Sequence, residues 1–243
     1  VERDKSNMKL LAIDASTMVA TVALATEDGV IAEYTVNNKR THSQTLLPMI
    51  DVIVSNIGWE LKEIDYIVVT NGPGSFTGLR IGAATAKGLA DALKKPIVPV
   101  SSLEALAMNG IIFDGLIVPI MDARRDNVFT GIYKAVDGHI YIEETQMVVS
   151  IYDLIDKLNK KGQNVLFIGD GIKTYKDKIQ DGMKVSYKLA PITIREQKAS
   201  SLVECAYKMI EEGRFVEGAK LELDYLRKSQ AERELEAKKK TTN

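Results

Sequence analysis

Cysteine and histidine are scarce in this chain of 243 residues, and each scarcity removes a class of function. Cys205 is the only cysteine, so no internal disulfide can form, and a reducing, cytoplasmic setting fits best. It sits in a helix-like stretch (201–206), where a free cysteine serves as a small apolar filler. The two histidines, His42 and His139, are far apart in sequence, and the chain has no HExxH, CxxC or Gly-x-Ser-x-Gly. A metal centre and a nucleophilic triad therefore have no positive support. No apolar run approaches the ~20 residues that cross a bilayer. Charge of one sign is missing too: the formal net charge is -1. Proteins that hold nucleic acid alone carry a basic excess that displaces condensed counterions. If RNA is the substrate, a partner carries most of the grip.

What is present is an ordinary globular mixture, 45% hydrophobic and 27% charged, enough to bury a sizeable core. Residues 1–7 are polar and read as an extension outside the fold, native or added. Apolar runs at 10–15, 21–25 and 30–36 read as strands. Asp28-Gly29 supplies the positive backbone angles of a tight hairpin between the second and third. Leu46, Ile50, Ile53 and Ile57 then recur four, three and four apart, one stripe of a helix that Gly58 ends. Pro48, lacking a donor, is expected in or near its first turn. A buried strand at 66–70, a turn at 71–75, a helix at 77–94 and a strand at 97–100 complete this half. Strands at 116–121, 128–133 and 140–149 restart the pattern, followed by a helix at 151–160, a strand at 165–168 and a helix at 200–212. Three strands followed by alternating helix and strand, stated twice, predict an α/β protein with a duplicated lobe: 8–108, a shorter 109–226, and a charged tail at 227–243.

Three segments could carry chemistry. Asp14 ends the first strand before Ser16 and Thr17, where a carboxylate can hold a metal-bound or phosphate-bound water or simply form the turn. Residues 71–78, Asn-Gly-Pro-Gly-Ser-Phe-Thr-Gly, join a strand to a helix start, where free donors and the helix dipole favour an anion. No Gly-Lys-Ser/Thr follows, so this is not a Walker loop. Gly72, Gly74 and Ser75 are its candidate contacts, against the plainer reading of a tight connection. Gly78, Gly82, Ala86 and Ala90 stand four apart on the next helix, a face of little bulk suited to a close helix partner or to its own sheet.

Together these segments resemble one family. His42-Ser43 with Leu46-Leu47-Pro48, the run from Gly72 to Gly82 (GPGSFTGLRIG), Ala86-Lys87-Gly88-Leu89-Ala90, Asp122-Ala123-Arg124-Arg125 and Tyr225-Leu226-Arg227 are similar to TsaB (YeaZ). The likeness covers nearly all of residues 8–237. It implies a two-lobed fold of the actin, heat-shock chaperone and sugar kinase (ASKHA) superfamily, built from duplicated βββαβα units. It also implies an accessory role beside the paralogue TsaD, which transfers threonylcarbamoyl to the adenosine next to the anticodon of tRNAs. Further partners are the ATPase TsaE, tRNA indirectly through the complex, and a second copy through a related surface; a membrane is not among them. The paralogue carries His-x-x-x-His where this chain has Ser102 and Leu106, and leucine cannot ligate a metal. The resemblance thus implies a non-catalytic subunit with no catalytic residue, no metal and no cofactor of its own, leaving open ATP or ADP at a subunit boundary. Leu46, Ile50, Ile53, Ile57, Gly82, Ala86 and Leu89 are the expected partner surface, some of them facing the domain's own sheet. Two other readings remain. An ATP-dependent phosphotransferase would use Asp14, the Asp122 turn and Gly169-Asp170-Gly171; a homodimeric scaffold would have no part in tRNA modification.

Overall fold

A computed structural model describes residues 8–38 and 41–227. The expected extension at 1–7 and the charged tail beyond Arg227 lie outside the described residues. The chain opens as a meander of Leu10–Asp14 (β1), Val19–Thr26 (β2) and Gly29–Asn37 (β3), each antiparallel to the next. His42–Ile57 (α1), Tyr66–Gly72 (β4), Phe76–Leu93 (α2) and Ile97–Ser101 (β5) follow. Strands β4 and β5 join in parallel, giving the order β3-β2-β1-β4-β5. A short helix, Ser102–Met108 (α3), leads into the second sheet.

That sheet contains Leu116–Asp122 (β6), Asn127–Val136 (β7) and His139–Ser150 (β8), then Val165–Ile168 (β9) and Tyr187–Leu189 (β10). Helices Ile151–Lys161 (α4) and Gly171–Gly182 (α5) connect the last three. Its order is β10-β9-β6-β7-β8. With β6 standing for β1, β7 for β2 and so on, this is the first order again. The duplicated α/β unit expected from the pattern is therefore present in both halves.

Three features differ from expectation. Helix α1 starts at His42, so Pro48 lies inside it rather than in its first turn. The carbonyl left without an intrahelical donor belongs to Gln44, an exposed residue, so water can replace the lost bond. Helices α3 and α5 and the short strand β10 had not been expected, although Ser101 caps α3 by accepting from Glu104 N and α5 buries Ile172, Tyr175 and Ile179 at helical spacing.

The third difference concerns the lobes. A single turn, Ile192–Arg195 (α6), and a full helix, Ala199–Glu211 (α7), follow β10. Helix α7 does not join the second sheet. Its Leu202, Val203 and Ala206 pack with Leu10, Ala12, Val68 and Val98 on one face of the first. Helices α1 and α2 cover the other face, setting Leu46, Ile50, Ile53 and Ala86 against Ile13, Val22, Ile67 and Val69. Strand β1 is apolar on both faces, so the sheet needs a layer on each. Val216 then bridges to Ile97, and Leu221 is buried in the first core. The boundary expected at 109–226 is therefore too generous: the chain returns to the first lobe at about Ala199. No helix among the described residues is long and apolar enough to cross a membrane.

Leu202 is wholly buried in this outer layer. Leu202→Ala is expected to destabilise the protein by about 2–5 kcal/mol, the usual range for such a truncation. Urea unfolding followed by circular dichroism measures it. A change within 0.5 kcal/mol would detach α7 from the first core.

Candidate functional site

The turn after β1 and the loop after β4 meet backbone to backbone. Ser75 N donates to Ser16 O (2.7 Å), and Ser75 Oγ caps α2 by accepting from Gly78 N (3.3 Å). A Cβ on Gly74 would stand 2.4 Å from Ser16 O, and one on Gly72 would stand 2.3 Å from Asp224 O. With φ of +128° as well, Gly72 admits no other residue without displacement. The loop is thus a tight connection whose amide at Ser75 is already used.

Asp14 lies beneath that contact, fully buried. Its Oδ1 accepts from Ser16 N (2.7 Å) and Thr70 Oγ1 (3.1 Å), while Oδ2 has no hydrogen-bond partner. Burial pushes its carboxyl above the ordinary range, opposed by the bonds from Ser16 and Thr70. Thr17 adds a buried bond to Gln197 (3.0 Å), just ahead of α7.

Between the lobes lies a cleft of about 560 Å³. Gly74 and Ser75 line it, whereas Asp14 is buried beneath and Gly72 is covered by Asp224. From the second lobe come Asp122 and Asp170, which the phosphotransferase reading singled out. Asp170 Oδ1 accepts from Asp122 N (3.3 Å), and Tyr175 OH donates to Asp122 Oδ1 (2.9 Å). Burial, then the negative charges of Glu196 and Asp122, push the Asp170 carboxyl up to about 6.

The C-terminal segment crosses the mouth. Asp224 N donates to Asn71 O (2.8 Å) in the first lobe, and its carboxylate accepts from Gln146 Nε2 in the second. The Tyr225 ring rests on Phe76 (4.9 Å) and its hydroxyl accepts from Arg80 Nε (3.1 Å). The Arg227 guanidinium donates to Ala123 O. Sequence reading missed Gln146 and Asp224, because isolated polar residues in a strand and a coil have no period. On the opposite rim, the β6–β7 turn holds Arg124, Arg125 and Asp126 at φ of 69°, 53° and 60°. Left-handed backbone costs a non-glycine residue about 1–2 kcal/mol. Bonds from Arg124 N to Asp122 (2.8 Å), Asn127 N to Arg124 O (3.2 Å) and Ile151 N to Asp126 O (2.8 Å) hold it there.

The two positions matched to the paralogue's imidazoles do not fit a metal. Leu106 is 1% exposed and packs in the second core. Ser102 is buried with its Oγ unbonded, and one hydroxyl is a poor ligand by itself. Nearby Glu104 turns to a separate cavity of about 240 Å³ with Tyr133 and Arg214; burial raises its carboxyl, opposed by Arg214 and Lys208.

The expected partner surface divides sharply. Leu46, Ile50, Ile53, Gly82 and Ala86 are buried within the first lobe. A Cβ on Gly82 would meet Ala15 and Val69, so the small-residue ladder serves helix-on-sheet packing. Those five side chains are committed to the lobe's own core; Ile57 and Leu89 are partly exposed. What α1 shows to solvent is Leu47, Pro48 and Val52, and what α2 shows is Ala84 and Gly88 beside the partly exposed Ile81.

The raised Asp170 carboxyl gives a pH test. A folded pKa of about 6 against 3.8 means that no cost is felt below pH 4 and that a cost grows as pH rises through 6. Asp170→Asn keeps the acceptor oxygen, so it is expected to stabilise by about 1–3 kcal/mol at pH 7.5 and by little at pH 4. Chemical denaturation at the two pH values checks this; an equal effect at both would refute it.

Comparison with known proteins agrees with this architecture. The family of TsaD, tRNA N6-adenosine threonylcarbamoyltransferase, matches residues 25–235. The tRNA threonylcarbamoyladenosine biosynthesis protein TsaB of Bacillus subtilis (strain 168) is 42% identical over 174 residues, covering 72% of this chain and 76% of that protein. TsaB of Escherichia coli (strain K12) is 30% identical over 234 residues, covering 95% and 100%. Two solved structures from Pseudomonas aeruginosa are similar throughout: a protein described as similar to peptidase YeaZ (TM-score 0.79, 28% identity) and YeaZ itself (TM-score 0.74, 27% identity). Each covers 90% of this chain and is itself covered in full. By sequence along almost its whole length and by its doubled sheet, the chain belongs to the TsaB (YeaZ) family.

Proposed function

We propose that this chain acts in the biosynthesis of threonylcarbamoyladenosine in tRNA, as a non-catalytic subunit that binds and activates a TsaD-type transferase. One observation carries the reading: the position of the second imidazole holds Leu106, and that side chain is built into the second core. A subunit whose metal position is filled with packing contributes through its surface. The solvent-facing sides of α1 and α2 support this, because Leu47 (55% exposed) and Val52 (45%) are apolar and lie beside an open, small-residue strip of α2. A facing helix can approach such a strip closely, and an apolar rim excludes water from the contact. The TsaE-type ATPase belongs to the same proposal, as does a cytoplasmic setting. Self-association through α1 and α2 would compete with the transferase for one face.

The phosphotransferase reading keeps one supporting observation, since Asp122 and Asp170 do face the cleft. Against it, Asp14 is turned into the floor, and the only cation near the cleft carboxylates among the described ion pairs is Arg124, loosely placed 3.9 Å from Asp122.

The experiment is threonylcarbamoyl incorporation into tRNA by TsaD and TsaE of the same organism, with and without this chain. Incorporation is expected to depend on the chain, and the chain alone is expected to be inert. Unchanged incorporation on its addition would end the proposal.

The face is tested separately. A Cβ on Gly88 meets nothing within 4 Å, so Gly88→Leu is expected to leave the melting temperature unchanged and to abolish pairing in gel filtration. Ala86→Leu, by contrast, overpacks a wholly buried site and is expected to lose about 1–3 kcal/mol of stability. Intact pairing of Gly88→Leu would remove α2 from the interface.

A further inference from the structure

The β6–β7 turn is the least explained part of the molecule. Three successive non-glycine residues take left-handed backbone there, and two of them are arginines. Glycine would hold the same backbone without strain, so packing gives no reason for arginine. Neither side chain is packed into the fold. Arg124 is 86% exposed and only loosely paired with Asp122 at 3.9 Å, a contact of little worth in water. Arg125 is exposed and has no ion-pair partner among the described residues. The neighbouring Asp126, which could have neutralised them, is instead engaged by Lys178. Several backbone bonds thus hold two exposed guanidinium groups, one loosely paired, on a turn whose Arg124 lines the inter-lobe cleft.

Across the mouth stands a second element of the same kind. Arg80 is exposed, with its guanidinium stacked on Phe76 (3.9 Å) and its Nε bonded to Tyr225, a residue 38% exposed. Arg124 and Tyr225 line the cleft together with Asp122, Asp170 and Asp224, while Arg125 follows Arg124 in the turn and Arg80 packs on Phe76 beside Tyr225. Phosphate placed deep inside would meet those carboxylates. At the β6–β7 turn it would first meet Arg124 and Arg125, whose guanidinium groups bind phosphate bidentately.

We infer that this rim is a contact surface for RNA, with Arg124 and Arg125 on backbone phosphates and Tyr225 offering a stacking face to an unpaired base. Single-stranded segments are recognised by this combination of cations and aromatic rings. The surface is small, which fits a net charge of -1: the chain adds a local contact to a grip supplied by its partner. The inference deepens the proposed function and rests on it, assigning direct RNA contact to a subunit otherwise expected to reach tRNA only through the complex.

The test uses the full chain assembled with its TsaD-type partner and unmodified tRNA, with binding measured by filter retention from 0.05 to 0.3 M salt. The double variant Arg124→Gly, Arg125→Gly removes both charges and relieves the backbone, so its melting temperature is expected to equal or exceed that of the wild type. Its tRNA affinity is expected to fall about tenfold at 0.1 M salt, with the salt slope shallower by about 1.4–1.8, the loss of two phosphate contacts. Arg124→Lys, Arg125→Lys keeps the charges and is expected to retain most of the slope. Unchanged affinity and slope in the glycine variant would overturn the inference. So would weakened pairing with the partner at unchanged tRNA affinity, which would make the turn a protein contact. Loss of ATP or ADP binding with tRNA binding intact would overturn it in favour of a free nucleotide. Wild-type pairing and incorporation test the proposed function itself; only the change on substituting the arginines tests this surface.

Discussion

The contact between the turn after β1 and the loop after β4 is the constraint from which the site is built. Ser16 O accepts from Ser75 N, and there is no room for a side chain on Gly74 between them. This closeness sets where α2 begins, because the residue that makes the contact is also the cap of that helix. It also decides the fate of Asp14. A carboxylate that could have faced a ligand is covered, accepts from the turn above it and from Thr70 beside it, and sits where burial favours its neutral form. A loop with the look of an anion cradle is in this way largely satisfied by its own chain.

How much of this can be read from residues alone depends on whether a feature repeats. The hairpin at Gly29, the stripe on α1 and every strand but the three-residue β10 each have a period or a turn residue with a physical meaning, and all are present. The duplicated topology follows from their order. The depth of the stripe is a different matter. Leu46, Ile50 and Ile53 have the spacing of any apolar helix face, and spacing does not tell a core from an interface. Four-residue repeats of small side chains have the same ambiguity. Here the ladder of Gly78, Gly82, Ala86 and Ala90 is the inward one, while a less regular set including Ala84 and Gly88 faces out. The segment over the cleft was illegible because its contacts join residues such as Gln146 and Asp224, 78 positions apart.

The site also shows how a duplicated unit diverges. Both halves keep the same strand order, yet their helices serve different ends. The first lobe spends α1, α2 and α7 on two covered faces of one sheet. The second encloses a core of its own around Val118, Phe167 and Tyr175. Between them α3 contributes to both, with Ala105 in one core and Leu103 and Leu106 in the other. Ser102 and Leu106 both lie on the buried side of this wedged helix, which is a physical reason for Leu106 to be where it is.

The return of α7 to the first sheet makes the second lobe an insertion within the first. Vectorial synthesis delivers residues from the N-terminus onward. The first sheet is therefore complete in its strands long before Leu202 and Val203 leave the ribosome, and one of its faces stays bare during that interval. The second lobe, contiguous in the chain, can close its core first. The N-terminal lobe, although made earliest, is the one that finishes last.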